Sequence, residues 1–139
     1  MNVFLDANIL VSVLNKEYPL FTYSARVLSL TDNPKYKVYT SPVCLAIAFY
    51  FAEKKSGRKE AKNKIGILAS RINIAEADQK IVLQAVNDKS VDDFEDGLEY
   101  YSAIKAGCRW IVTEDKNDFH FSKVPVTTAR QFLEEHTLI

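Results

Sequence analysis

The chain opens with a short apolar run that stops at a single acidic residue. Val3-Phe4-Leu5 is followed by Asp6, and an apolar pattern with helical spacing then begins near Ile9. Short and continuous apolar runs are typical of strands buried in a parallel sheet. Asp is favoured at helix N-caps, and the ligands of open α/β sheets bind beyond the carboxyl ends of strands. Asp6 is therefore either a helix cap or part of a functional site.

Composition restricts the class of protein without naming a partner. The 139 residues suffice for one domain with one core, and 18 basic residues balance 18 acidic ones. Nucleic-acid binding would therefore need a local patch of charge. Cys44 and Cys108 lie far apart in apolar surroundings, which predicts buried, reduced thiols in a cytoplasmic protein. Because no apolar run approaches the ~20 residues of a bilayer span, we expect no membrane association.

Strand-like and helix-like segments alternate along the chain. We predict strands over 2–6, 37–40, 72–75, 110–113 and 124–126. We predict helices over 8–15, 17–30, 42–55, 58–70 and 78–86, a sixth helix ending at Gly107, and a last helix capped by Thr127 or Thr128. Such alternation predicts an α/β fold with a parallel sheet and right-handed crossovers.

Three acidic residues fall in related places in this pattern. Asp6 ends the first strand, Asp115 follows the fourth strand, and Asp96 lies near the start of the preceding helix. If the first and fourth strands are neighbours, all three carboxylates meet at one edge of the sheet. Clustered carboxylates raise one another's pKa unless a cation compensates, and oxygen ligands favour Mg²⁺ or Mn²⁺. Each residue alone could instead be a helix cap, a solvated helix residue or a turn residue.

Other chemistries find less support in the sequence. It contains no glycine-rich phosphate loop and no nucleophile elbow, and His120 and His136 lack metal-ligand spacing. A phospho-acceptor receiver domain would explain Asp6 and Thr113 after strands, but Thr127 follows the last strand where a Lys is expected.

A basic run lies in the middle of the chain. Residues 54–64 contain six basic side chains and one acidic side chain, Glu60. This run is either a solvated helix face or, if it borders the acidic edge, a surface that neutralises RNA phosphates.

Three motifs in order resemble the PIN domain family. They are 4–10 (FLDANIL), 93–98 (DFEDGL) and 111–119 (IVTEDKNDF). The resemblance covers nearly the whole chain and implies a single PIN-like domain over 1–139. It implies a three-layer α/β/α sandwich whose parallel five-stranded sheet has strand order 3-2-1-4-5. It also implies an endoribonuclease that uses Mg²⁺ or Mn²⁺ to hydrolyse RNA, expected to be single-stranded.

The resemblance further implies partners and site residues. Many family members are toxins of type II toxin–antitoxin pairs, so a cognate antitoxin and a homodimer are expected partners. Asp6, Asp96 and Asp115 match the catalytic metal-binding acids, and Asp118 matches a further metal-binding position. The supporting residues that this implies are Asn8, Thr113 and Asp93.

Ile47 is a departure from the family pattern. The family usually has a Glu in the helix after the second strand, and our alignment places Ile47 there. Glu53 lies six residues further on, about 240° around the helix, and cannot substitute for it. In one interpretation the metal binds more weakly and Asp93 or Asp118 compensates. In the other, the protein is a degenerate, non-catalytic module that binds RNA or protein.

Overall fold

One sheet of five parallel strands organises residues 1–137, the part of the chain that the computed structural model describes. The strands are β1 (Asn2–Leu5), β2 (Lys37–Thr40), β3 (Asn73–Ile74), β4 (Trp110–Val112) and β5 (Val126–Thr127). Their order across the sheet is β3-β2-β1-β4-β5, which confirms the predicted order. The predicted domain extends to residue 139, and its last two residues lie outside the described part.

Helices cover both faces of this sheet in an α/β/α sandwich. The seven α-helices of the described chain are α1 (Ala7–Leu14), α2 (Leu20–Leu28), α3 (Pro42–Ser56), α4 (Arg58–Arg71), α5 (Gln79–Asn87), α6 (Phe94–Lys105) and α7 (Ala129–His136). Two short 3-10 helices, Ser29–Asp32 and Lys116–Phe119, lie after α2 and after β4. None of the helices within residues 1–137 is long and apolar enough to cross a membrane.

The central strand β1 is apolar because it is buried on both faces. Val3, Phe4 and Leu5 are fully shielded from solvent. β1 pairs in parallel with both β2 and β4, and in the second pairing Leu5 lies opposite Val112. This central position explains the continuous apolar run in the sequence, since strands covered on both faces show no alternation.

Local signals set the ends of α3 and α6 as the sequence predicts. The hydroxyl of Ser41 accepts a hydrogen bond from the Cys44 amide at 3.2 Å, and Pro42 occupies the first turn of α3. Gly57 and Gly107 follow α3 and α6 with φ of 84° and 75°. Such left-handed conformations favour glycine, so these residues end the helices cleanly.

The second helix and the last strand depart from their predicted bounds, and most other bounds shift by one or two residues. The helix predicted over 17–30 begins only at Leu20, because Pro19 disfavours helical backbone in the residue before it. The last strand, predicted over 124–126, runs instead from Val126 to Thr127. The Ser122 hydroxyl accepts a hydrogen bond from the Val124 amide and donates one to its carbonyl, which holds Val124 in a turn.

Part of the basic run is used inside the fold. The Lys64 ammonium donates to the carbonyl of Leu14 at 3.1 Å, and Lys55 donates to the carbonyl of Asn15. Both carbonyls lie at the carboxyl end of α1, where helix carbonyls lack partners and the helix dipole is negative. These two lysines therefore fasten α1 to α3 and α4 and are not free for an external ligand.

The capping box of α7 provides a test of this account of the fold. The Thr128 hydroxyl accepts from the Gln131 amide at 3.1 Å, and the Gln131 side chain accepts from the Thr128 amide at 3.1 Å. We expect Thr128→Ala to lower the free energy of unfolding by about 1 kcal/mol, because one helix amide loses its partner. Urea unfolding followed by circular dichroism measures the change.

Thr128→Ser is the matched control, since it keeps the hydroxyl and should stay within a few tenths of a kcal/mol of the natural protein. Equal stability of Thr128→Ala and the natural protein would show that the cap contributes nothing.

Candidate metal centre

The parallel pairing of β1 with β4 brings two polar residues together at the carboxyl edge of the sheet. Asp6 and Thr113 each follow directly after their strand, and the Asp6 amide donates to the carbonyl of Val112 at 3.0 Å. The buried Thr113 hydroxyl donates to Asp6 Oδ2 at 2.7 Å. Residues far apart in sequence thereby form one hydrogen-bonded pair.

The Asn8 side chain links this pair to Asp115. Its side-chain amide donates to the Thr113 hydroxyl at 3.1 Å and to Asp115 Oδ2 at 3.2 Å. Its carbonyl oxygen accepts from the Glu114 amide at 3.3 Å. Asn8 and Thr113 therefore hold the carboxylates of Asp6 and Asp115 in fixed positions. This is the supporting role that the family resemblance implies for these two residues.

Asp6 caps a helix and also lines the candidate site. Its Oδ1 accepts from the Ala7 amide at 2.6 Å at the start of α1. The side chain also lines a cavity of about 420 Å³ at the carboxyl edge of the sheet. The two interpretations of Asp6 from the sequence are thus compatible.

The cavity gathers the acidic residues that the sequence singled out. Its carboxylates come from the residue after β1, the α1–α2 connection, α6 and the loop after β4, and they are Asp6, Glu17, Glu95, Asp96, Glu99, Asp115 and Asp118. No basic side chain is among the described residues that line it. Asp93 is not part of the lining. It caps α6 by accepting from the Glu95 amide at 2.8 Å.

The crowding of carboxylates changes their titration. Burial, and then the charges of Asp93, Asp118 and Asp6, raise the pKa of Asp96 to about 7. Burial and the charges of Asp115 and Asp6 also raise the pKa of Asp118. Both shifts show that the cavity resists further negative charge.

Glu99 is a site residue that the sequence reasoning missed. It lies one turn after Asp96 on α6 and is only 2% exposed. Its Oε1 accepts a hydrogen bond from the Cys44 thiol at 2.9 Å. Burial, followed by hydrogen bonding to Asp6, raises the pKa of Glu99 to about 11. Ligand atoms of Asp6, Cys44 and Glu99 lie within 4.8 Å of one another.

The spacing of Glu99 and Asp96 is the signal that could have revealed it. Residues three apart share one face of a helix, so an acid at 99 must face the same way as Asp96. Cys44 and Cys108 are both buried and free, as predicted, but the hydrogen bond of Cys44 to Glu99 requires the tertiary structure. Burial raises the pKa of the Cys44 thiol, so this thiol acts as a neutral donor.

Ile47 faces the same cavity from α3. It lies one turn after Cys44 and one turn before Phe51, which also lines the cavity. The helix that usually supplies an acid in the resembled family thus supplies an apolar wall here. Besides Asp6, Asp96 and Asp115, the carboxylates of the cavity are those of Glu17, Glu95, Glu99 and Asp118, and Asp93 is not among them.

The fold and this cavity define a class of α/β protein in which acidic residues converge beyond the first and fourth strands. The family model described as PIN domain matches residues 2–117, and the chain belongs to that family.

Comparisons with individual proteins agree with this assignment. Ribonuclease VapC1 of Aquifex aeolicus (strain VF5) is 29% identical over 136 residues, which cover 95% of this chain and 93% of the relative. The structure of VapBC-1 from nontypeable Haemophilus influenzae matches 94% of this chain and 99% of its own chain, with a TM-score of 0.71 and 16% identity. Mycobacterium tuberculosis VapC20, described as a sarcin–ricin loop cleaving toxin, matches 78% of this chain and 86% of its own, with a TM-score of 0.63 and 16% identity.

The titration of Glu99 leads to a pH-dependent stability. Its carboxyl keeps its proton in the folded protein up to about pH 11 but loses it near 4.5 in the unfolded chain. Between these two pKa values the folded state binds one proton more than the unfolded state. The contribution of Glu99 to stability is therefore fully present below the unfolded pKa and falls as pH rises. Asp96 contributes in the same direction between 3.8 and about 7.

We expect Glu99→Gln to weaken this pH dependence, because Gln does not titrate and can still donate toward Asp6 and accept from Cys44. Urea unfolding with a metal chelator, between about pH 5 and pH 9, measures the slope. The exposed Glu135→Gln is the control and should keep the natural slope. A Glu99→Gln variant with an unchanged slope would contradict the assignment of the proton to Glu99.

Proposed function

We propose that this protein is an endoribonuclease that hydrolyses RNA phosphodiester bonds with Mg²⁺ or Mn²⁺. The observation that carries the proposal is the acidic cavity, whose described lining holds seven carboxylates and no basic side chain. Uncompensated carboxylates at this density call for a cation, and hard oxygen donors suit these two ions. The donor set of the cavity therefore fits the metal that the family resemblance implies.

Asp6, Asp96 and Asp115 are the proposed metal ligands, with Asp118 as a further one. A divalent cation held there would supply water activation and stabilisation of charge on the phosphodiester. Glu99 is buried and kept protonated by its surroundings, so it supports Asp6 through a hydrogen bond.

The supporting residues keep the ligands oriented. The Thr113 hydroxyl donates its one proton to Asp6. Its oxygen is then an acceptor for hydrogen bonds from the Asn8 side chain and the Asp115 backbone amide. Asn8 directs its amide to the Asp115 carboxylate. This series of hydrogen bonds fixes Asp6 and Asp115, which lie beyond the ends of two neighbouring strands, relative to each other. It therefore lowers the free-energy cost of assembling the site. Asp93 acts indirectly, by capping the helix that carries Asp96.

The comparisons support a role as the toxin of a toxin–antitoxin pair. The Aquifex relative is named a ribonuclease, and the Mycobacterium protein is described as a toxin. We propose that a cognate antitoxin segment covers the acidic edge, that single-stranded RNA is the substrate, and that the protein acts in the cytoplasm as a homodimer. The two reduced thiols are in keeping with that compartment.

Cleavage of single-stranded RNA tests the proposed activity. We expect the natural protein to cleave with Mn²⁺ or Mg²⁺ and to lose activity when the metal is chelated. Asp6→Asn should lower the rate by at least about 10-fold to 100-fold, the cost of removing even an outer partner of a metal ligand. Asn is an equally good N-cap, so α1 should remain folded.

The control variant is Glu135→Gln, which changes one exposed acid outside the cavity. Equal residual cleavage by Asp6→Asn and the natural protein would assign the activity to a contaminant.

The second candidate function is a non-catalytic module that binds RNA or protein. Ile47 favours it, because this residue places an apolar side chain where the family usually has an acid. Calorimetric titration with Mn²⁺ separates the two candidates. The ribonuclease proposal predicts micromolar Mn²⁺ binding that Asp115→Asn abolishes and Glu135→Gln preserves. Absence of Mn²⁺ binding by the natural protein would favour the non-catalytic module.

A further inference from the structure

Two aromatic side chains on α3 are exposed beside the acidic cavity. Tyr50 is 51% exposed and Phe51 is 44% exposed, and their rings meet edge to face with centroids 5.2 Å apart. Phe51 also lines the cavity, next to Ile47. The Lys54 ammonium lies 4.6 Å from the centre of the Tyr50 ring. We call Tyr50, Phe51 and Lys54 the aromatic strip.

We propose that the aromatic strip binds the unpaired bases of an RNA strand next to the phosphodiester held at the cavity. This inference rests on the proposed ribonuclease function and extends it by naming a surface that holds the substrate. It assigns base stacking to Tyr50 and Phe51 and a phosphate contact to Lys54.

The exposure of the two rings favours a binding role. An aromatic side chain can bury 150–250 Å² in a core or an interface, which is a large apolar area to leave in water. Phe51 also adjoins an apolar wall of the cavity that is formed by Val11, Leu20 and Ile47, and Tyr50 contacts Phe51. A continuous apolar surface that reaches from a cavity to the exterior is typical of a ligand-binding site.

The charge around the strip favours a nucleic acid as the occupant. Two of the six basic residues in 54–64 fasten α1, and Arg58 pairs with Glu53 at 3.3 Å. Lys54 is exposed, has no ion-pair partner among residues 1–137, and lies beside the Tyr50 ring. An exposed lysine beside two aromatic rings is the combination found on single-strand binding surfaces, where cationic side chains contact the backbone and aromatic rings stack on the bases.

The acidic cavity makes such a surface necessary. Its carboxylates repel every RNA phosphate except the one that a bound cation would neutralise. Flanking nucleotides therefore need contacts outside the cavity. The strip offers these within the reach of a neighbouring nucleotide, because Phe51 belongs to the cavity wall.

Binding of a fluorescent, mixed-sequence, single-stranded RNA 12-mer tests the inference. Fluorescence anisotropy in low salt with a metal chelator measures binding without cleavage. We expect Phe51→Ala and Tyr50→Ala each to weaken binding by about fivefold to 100-fold, the effect of losing one stacked base. Phe51→Trp should preserve binding, since it keeps an aromatic face. Lys54→Met should weaken binding and lower the salt dependence by about 0.7 in the log–log slope, the contribution of one phosphate contact to a single strand.

Matched controls lie on α5, where Leu83 is 52% exposed and Lys80 is also exposed. Leu83→Ala and Lys80→Met should bind like the natural protein. An abasic 12-mer should bind the natural protein and Phe51→Ala equally, because it retains the phosphates and lacks the bases. The backbone carbonyl of Phe51 accepts from the Asn15 side chain, so this anchor survives replacement of the ring.

Unchanged binding in Phe51→Ala and Tyr50→Ala would overturn the inference, as would equal losses with the abasic and the natural 12-mer. The inference would also be wrong if Phe51→Ala and Tyr50→Ala lost binding of a copurified protein partner and kept RNA binding. The strip would then be a protein-docking surface. If the natural protein binds RNA through the strip but never cleaves it with Mn²⁺, the ribonuclease proposal fails and the assignment of the strip stands.

Discussion

The site depends first on the parallel pairing of β1 with β4. Leu5 lies opposite Val112 in this pairing, so the residues that follow them, Asp6 and Thr113, meet at 2.7 Å. A shift of the register by one residue would turn alternate side chains to the other face of the sheet and separate the pair. Burial of the apolar residues of the two strands prevents such a shift, because those residues would lose their place in the core. The packing of apolar residues in the core thus determines the positions of Asp6 and Thr113, which are polar and lie just beyond the strands.

The cavity combines two walls of opposite character. The crowded carboxylates come from residues that follow the first and fourth strands, from the α1–α2 connection and from α6, while α1, α2 and α3 contribute Val11, Leu20, Ile47 and Phe51. Crowding and burial raise the pKa values of Asp96 and Glu99, which reduces the stability of the metal-free fold at neutral pH. Concentrated charge of this kind is characteristic of functional sites, where local stability is lower than packing alone would allow. Ile47 belongs to the apolar wall, which continues to the exposed Phe51 on the same helix.

Several elements were predictable because their signals are local. The Ser41-Pro42 pair and Gly57 delimit α3 through capping and backbone conformation, and neither signal depends on distant residues. The second helix is shorter than predicted: its apolar spacing begins only at Leu20, and Pro19 restricts the backbone of the residue before it. The basic run was ambiguous for another reason. Whether Lys55 and Lys64 face solvent or the end of α1 depends on how the helices pack.

The amino-acid sequence by itself determined the alternation of strands and helices, the position of Asp6 and Asp115 at strand ends, and the resemblance to PIN domains, which supplied the strand order. These follow from short-range patterns, since hydrophobic period, capping residues and motif spacing are all read within a few residues. Only the tertiary structure decided that Glu99 joins the acidic cavity through Cys44 and Asp6, and that Asp93 caps α6 without lining the cavity itself. It alone showed that Tyr50 and Phe51 remain exposed beside the cavity. The physical reason is that burial, pKa and hydrogen-bond partners are properties of neighbours in space, and those neighbours come from segments up to about a hundred residues apart.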